Sequence, residues 1–272
     1  MTDLTRIPIE KRPDTLHFEG RILWLVDDAP LLRAQLFEGR ELTLEEAYAA
    51  GFRDQISTDE ITPAYICYFF DETLGEFPYL GLRATNPETG EQEAPITRNA
   101  VKEGGFVCSV AGRRRGKGSS REQSPYAELM AGIRVVVGES IERIYNENCQ
   151  NLGILTTTDF SVIERIESGE EIPLAVFTEG TDEITREIIE YGGLFEFNLA
   201  RLRGAVTLPP ARAMARAMEG PDRPGSPRPM TVAEKIFARK WVVDASRDHL
   251  GVPAVEPGEA GFFRTDIRFS HE

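Results

Sequence analysis

Apolar residues along the chain fall into short β-rich runs separated by stretches of helical spacing. Residues 15–26, TLHFEGRILWLV, mix alternation with a β-rich run, and residues 42–52, LTLEEAYAAGF, have helical spacing closed by Gly51. Residues 56–70, ISTDEITPAYICYFF, predict a polar turn, Pro63 and then a strand of Tyr, Ile, Cys and Phe. Residues 84–100 are polar, hold two prolines and predict a surface excursion, whereas GGFVCSVAG at 104–112 predicts a buried strand between glycines.

The pattern then repeats. SPYAELMAG (124–132) predicts a helix with Ser124 as N-cap, Pro125 at the first helical position and Gly132 at the end, and IRVVV (133–137) predicts a strand. ESIERIYNENCQNLG (139–153) places Ile141, Ile144 and Tyr145 on one helical face, and ILTTT (154–158) predicts the next strand. Further helical patterns end at Gly169 and at Gly192–Gly193. Successive strand–helix–strand units predict an α/β domain over residues 1–215, with parallel or mixed strand pairing.

EGPDRPGSPRPM packs four prolines and two glycines into twelve residues, so a linker is expected at 216–230. Beyond it, MTVAEKIFARKWVV opens on a capping box, Thr231 with Glu234, and sets Val232, Ile236 and Phe237 on one apolar face. Residues 231–272 are too few for a sizeable core of their own.

Composition narrows the class. With 41% hydrophobic and 28% charged residues the chain is of ordinary globular type, and no apolar run approaches the roughly 20 residues of a membrane span. The opening MTDLTRIPIEKRPD has charges and a proline where an export signal needs an apolar run, so a cytoplasmic location is expected. Cys67, Cys108 and Cys149 include no Cys-x-x-Cys pair and predict buried thiols, not a disulfide frame or a self-contained metal site. A net charge of −14 argues against nucleic acid binding by the whole surface, so any anion must be met locally.

The local candidate is GRRRGKGSSREQSPYAEL, residues 112–129. As a P-loop it is one spacer short and has Gly118 where a hydroxyl should follow Lys117. As a nucleic-acid patch, Arg113 to Lys117 offers four cations and no interleaved aromatic residues. A third reading makes GSSRE a polar loop feeding a helix, so that backbone N–H groups, the helix dipole and Arg121 converge on a spot suited to a small carboxylate. From the residues alone a solvated turn stays open beside it.

STDEITP, the glycine-flanked strand, GKGSSRE and GIRVVVGESIERIYNENCQNLGIL, in that order over residues 55–175, resemble the swivel domain of the aconitase superfamily, in particular the small subunit of 3-isopropylmalate dehydratase. MTVAEKIFARKWVVD and EPGEAGFFRTDIRFSHE resemble the first helix and early strand of the large catalytic part of that superfamily. The resemblance implies a three-layer α/β swivel domain with a mixed sheet and βαβ crossovers, and makes residues 231–272 the beginning of a catalytic domain. It implies a hydro-lyase that dehydrates and rehydrates a malate-like hydroxy-polycarboxylate such as isopropylmalate. The enzyme would be active only with a large catalytic subunit, or missing C-terminal domains, carrying a [4Fe-4S] cluster that this chain does not bind.

Carried over residue by residue, the resemblance gives Ser119 the role of base, an unusual one that requires an alkoxide held by donors and positive charge. Gly116 and Gly118 let the loop backbone approach, Arg121 grips a substrate carboxylate, Ser120 adds a hydrogen bond, Asp59 orients Arg121 or lines the pocket, and Arg83 adds a carboxylate contact. Lys117 and Gln123 stand where the family has Cys or Glu, and His, and the run Arg113–Arg115 is unfamiliar there. Isopropylmalate, homocitrate, methylcitrate and dimethylmalate analogues therefore stay open as substrates. The alternatives are a non-catalytic module of the same fold that holds RNA or an anionic partner through Arg113 to Lys117, and an inactive fragment.

Overall fold

The computed structural model describes residues 8–206 and 229–267. Strands β1 (Thr15–Leu16) and β2 (Arg21–Trp24) lead into helices α1 (Ala29–Phe37), α2 (Leu44–Ala50) and α3 (Thr58–Ile61). The hairpin strands β3 (Ala84–Thr85) and β4 (Gln92–Glu93) and helix α4 (Ala100–Glu103) follow. Then come β5 (Phe106–Ala111), α5 (Gln123–Met130), β6 (Val135–Gly138), α6 (Arg143–Leu152), β7 (Leu155–Thr157) and α7 (Ser161–Ser168). Strand β8 (Ile172–Pro173) and helices α8 (Ala175–Thr178), α9 (Glu183–Tyr191) and α10 (Leu194–Leu202) complete this part.

Strands β2-β5-β6-β7, in that order, form one parallel sheet, while β1 with β8 and β3 with β4 are antiparallel pairs outside it. All six residues of β5 and all four of β6 are buried, which requires cover on both faces of the sheet and accounts for the three-layer α/β character. The core draws Leu23, Trp24, Phe106, Val110, Val136, Val137 and Leu155 from these strands and Tyr145, Val162 and Ile166 from the helices.

Several local expectations change. Residues 56–70 form α3 and a 3-10 turn at Ala64–Ile66 in place of a strand. Ser57 and Glu60 close a capping box that commits the segment to helix, and Tyr65, Tyr68 and Phe70 stay exposed, without the burial that makes such residues favour a sheet. Helix α5 starts at Gln123, one residue before Ser124, which does not cap it. Helix α6 starts at Arg143, so Ile141 precedes it and Ile144 is 47% exposed; the buried stripe is Tyr145 with Cys149 at i+4. Helix α1 matches no run singled out in the sequence; Asp28 caps it by accepting from Leu31 N, with Pro30 in its first turn.

The described residues divide into two compact units: Pro8–Glu179 with Ile188–Phe197, and Gly180–Glu187 with residues 198–206 and 229–267. The boundary expected at 215 lies outside the described residues, as does the expected linker except for residues 229–230. In the second unit, a helix at Val232–Lys240 carries the expected capping box of Thr231 and Glu234. Ala238, Trp241 and Val255 make a small core there with Met230, Val243, Val252 and Phe263, while Val232, Ile236 and Phe237 are largely exposed.

Candidate active site

The loop 112–122 leaves the carboxyl end of β5, where parallel α/β sheets place their ligands. Gly116 N and Lys117 N both donate to Ile56 O, at 2.8 and 3.0 Å, and Thr58 N donates to Lys117 O at 2.9 Å. These bonds lay the loop along the start of α3. In consequence Thr58 Oγ1 lies 3.2 Å from Ser119 Oγ, and Arg121 Nη1 pairs with the Asp59 carboxylate. Ser124 Oγ donates to Thr58 O at 3.0 Å, and Asn148 Nδ2, from α6, donates to Ser120 O at 3.2 Å.

Ser119, Ser120, Arg121 and Asp59 are thus brought to one rim. Ser119, Ser120 and Asp59 are exposed, and Arg121 is half-buried. Arg83 is exposed just ahead of β3 and shares no hydrogen bond or ion pair with them among the described residues.

Two glycines make the loop possible. Gly116 has φ of +80°, and a Cβ there would sit 2.1 Å from the Tyr145 ring; Gly118 has φ of +113° and passes close to Thr58 Oγ1. Among the described residues the N–H groups of Gly118, Ser119 and Ser120 meet no protein acceptor.

The arginine run divides into separate fates. Arg113 reaches Asp54 at 3.3 Å and Glu139 at 3.5 Å, and Arg114 Nε donates to Glu142 at 2.7 Å. Arg115 is wholly buried. Its Nη2 lies 2.5 Å from Glu128 Oε1, 2.6 Å from Tyr79 Oη and 2.8 Å from Ser109 Oγ. Both tyrosines, Tyr79 and Tyr145, donate to the same carboxylate. Burial pushes the phenols of Tyr79 and Tyr145 well up, so they stay protonated as donors. Lys117 stays exposed, with Nζ 3.1 Å from Gln55 Oε1. The run is therefore no open basic patch, since carboxylates meet all three arginines.

Among the described residues no group of three or more His, Cys, Asp or Glu could hold a metal ion. Cys108 and Cys149 are buried, and burial pushes the Cys108 thiol up to about 12 and the Cys149 thiol well up. Protonated, enclosed thiols do not suit the thiolate ligation of an iron–sulfur cluster, so these residues do not fit one. No helix among the described residues is long and apolar enough to cross a membrane.

Residues 47–159, which span α3, the Ser119 loop and α6, match the family model of the aconitase C-terminal domain. The 3-isopropylmalate dehydratase small subunit of Nitratidesulfovibrio vulgaris is 34% identical over 55% of this chain and 90% of its own length. The chain belongs to the aconitase family, among its hydro-lyase small subunits. The homoaconitase small subunit of Thermus thermophilus is 33% identical over 48% of this chain and 76% of its own. A crystal structure of 3-isopropylmalate dehydratase from Methanocaldococcus jannaschii aligns with 56% of this chain and 91% of its own, at 23% identity and a TM-score of 0.39.

Within this family member, the geometry adds residues that sequence reasoning had left out of the site. Thr58 shares a hydrogen bond with Ser119, Ser124 ties α5 to α3, and Asn148 holds the carbonyl of Ser120. Thr58 lies in STDEITP and Asn148 in GIRVVVGESIERIYNENCQNLGIL, two stretches that carried the resemblance, and Ser124 lies two residues past GKGSSRE. Arg115 and Glu128 gave no usable signal, because partners 13 residues apart on a loop and a helix follow no period.

Proposed function

We propose that this chain is the swivel component that closes the active site of an aconitase-type hydro-lyase, with Ser119 as base and Arg121 as carboxylate grip. The substrate is a malate-like hydroxy-polycarboxylate such as isopropylmalate, and the partner is a large catalytic part. A [4Fe-4S] cluster in that part supplies Lewis-acid chemistry at the substrate hydroxyl. Residues 231–272 are read as the start of such a catalytic part, joined through the proline-rich segment.

The observation that carries the reading is the meeting of Ser119 and Arg121 with Thr58 and Asp59 on one rim at the carboxyl end of β5. A serine hydroxyl is a poor base until its alkoxide is stabilised. Thr58 Oγ1, 3.2 Å away, can donate to it, and the N–H groups of Gly118, Ser119 and Ser120 would add positive potential. Ser119 Oγ would take the proton from the carbon next to a substrate carboxylate. Arg121, released from Asp59, would hold that carboxylate through two parallel hydrogen bonds. Arg83 is left as a carboxylate contact only if the substrate reaches beyond this rim.

The test is reconstitution with a cluster-bearing large subunit and assay against isopropylmalate, homocitrate, methylcitrate and dimethylmalate. Turnover of one of these by wild type and a kcat loss on the order of a hundredfold for Ser119→Ala, with KM nearly unchanged, is expected for a lost base. Wild-type turnover by Ser119→Ala would end the assignment.

A further inference from the structure

We propose that Arg115 and Glu128 are positioning residues: with Tyr79 and Tyr145 they clamp the segments around Ser119 and fix the loop that carries Ser119 and Arg121. This deepens the reading of Ser119 and Arg121 given above and rests on it. Arg115 stands four residues before Ser119, and Glu128 stands seven after Arg121, so the pair joins the two ends of the loop.

The remaining partners reach every other segment at the rim. Tyr79 N donates to the carbonyl of Ile61, the last residue of α3, whose first turn holds Thr58 and Asp59. Tyr145 belongs to α6, which also carries Asn148 on the carbonyl of Ser120. The backbone of Arg115 donates to Ser140 O at 3.0 Å and accepts from Glu142 N at 2.8 Å, which ties the turn to the segment between β6 and α6. Helix α6 therefore touches the buried pair directly through Tyr145, and α3 is tied to it through Tyr79.

Stability alone does not account for such a pair. Both side chains are fully enclosed, and Arg115 Nε and Nη1 are buried without an acceptor among the described residues. Well-packed apolar residues commonly replace a buried ion pair without loss, because desolvation offsets much of the attraction. What apolar residues lack is direction. A planar guanidinium and a carboxylate that accepts two phenolic hydroxyls meet in one register only, and that register sets where the loop begins and ends.

The test uses the full chain with Arg115→Met, Glu128→Leu and the double variant. Each single variant strands one buried charge and should unfold at lower temperature, while the double variant should recover most of the melting temperature. In the recovered double variant, hydrogen exchange over residues 112–122 should rise about tenfold, with β5 and β6 still protected. In the enzyme assembled with its large part, KM should rise and kcat should fall, each by about tenfold. A smaller folded fraction lowers apparent kcat and leaves KM alone, so the KM change reports position and not stability.

A double variant with wild-type exchange over 112–122 and wild-type KM overturns the clamp. If exchange rises while Ser119→Ala keeps full activity, the clamp stands and the catalytic assignment falls. If the double variant does not fold, Tyr145→Phe and Tyr79→Phe each remove one hydroxyl and leave both charges paired. Faster exchange over 112–122 in them supports the clamp, and unchanged exchange overturns it.

Discussion

Arg115 and Arg121 stand on one loop and each pairs with a carboxylate, yet Arg115 and Glu128 are 0% exposed while Arg121 keeps 22% of its side chain exposed and Asp59 64%. Burial decides what each pair can do. Around Arg115 no water competes, so the pair holds for as long as the chain is folded. Around Arg121 water and salt screen the attraction, and exposed pairs of this kind contribute only about 0–1 kcal/mol. On the proposed reading, Arg121 would leave Asp59 for a substrate carboxylate, so that one loop would use the same chemistry once for architecture and once for exchange.

The largest effect expected from this contrast is on the buried side. Glu128→Ala leaves the Arg115 charge uncompensated and should cost on the order of 3–5 kcal/mol in denaturant unfolding. Alkali should attack the same region. Burial raises the Cys108 thiol from 9.0 to about 12 and pushes Tyr79, Tyr145 and Cys149 up as well, so the folded chain keeps protons that the unfolded chain gives up. Stability from these groups is full below the thiol's ordinary value of 9.0 and is lost as pH climbs toward 12, which unfolding midpoints across that range would follow.

On the exposed side the effects move from stability to kinetics. Arg121→Lys keeps the charge but loses the planar fork, so KM of the assembled enzyme should rise about tenfold with unfolding barely changed. Asp59→Asn should be the mildest, below about 1 kcal/mol in stability. If Asp59→Asn cost as much as Glu128→Ala, the contrast between the two pairs would be lost.

The sequence made the alternating strands and helices legible from β5 to α7, because GGFVCSVAG, IRVVV and ILTTT are buried runs with glycine or polar edges. It was misleading at AYICYFF, where β-rich composition met no sheet partner and four aromatic side chains remain exposed to some degree. At the site, the short-range pieces were legible: Ser119, Ser120 and Arg121 are neighbours, and Asp59 lies in a recognisable turn. The helix start was placed two residues late, with Ser124 as N-cap and Pro125 as first helical residue, whereas the Ser124 hydroxyl binds Thr58 O in place of capping α5. The partnership of Arg115 with Glu128 was not legible, since a charged residue in a run of three arginines reads as surface. Only the fold shows that Arg113 and Arg114 turn outward to Asp54, Glu139 and Glu142 while Arg115 turns in.

That pairing of Arg113 and Arg114 with carboxylates bears on how a substrate arrives. The chain carries a net charge of −14, and the cations nearest the rim are largely neutralised by their neighbours. By itself the chain therefore has no long-range field to draw in a dicarboxylate, which it repels from afar. Attraction begins only within about a Debye length of Arg121 and Lys117, roughly 8 Å in physiological salt. Adding salt should relieve the distant repulsion, so encounter of a dicarboxylate with this chain should quicken as ionic strength rises.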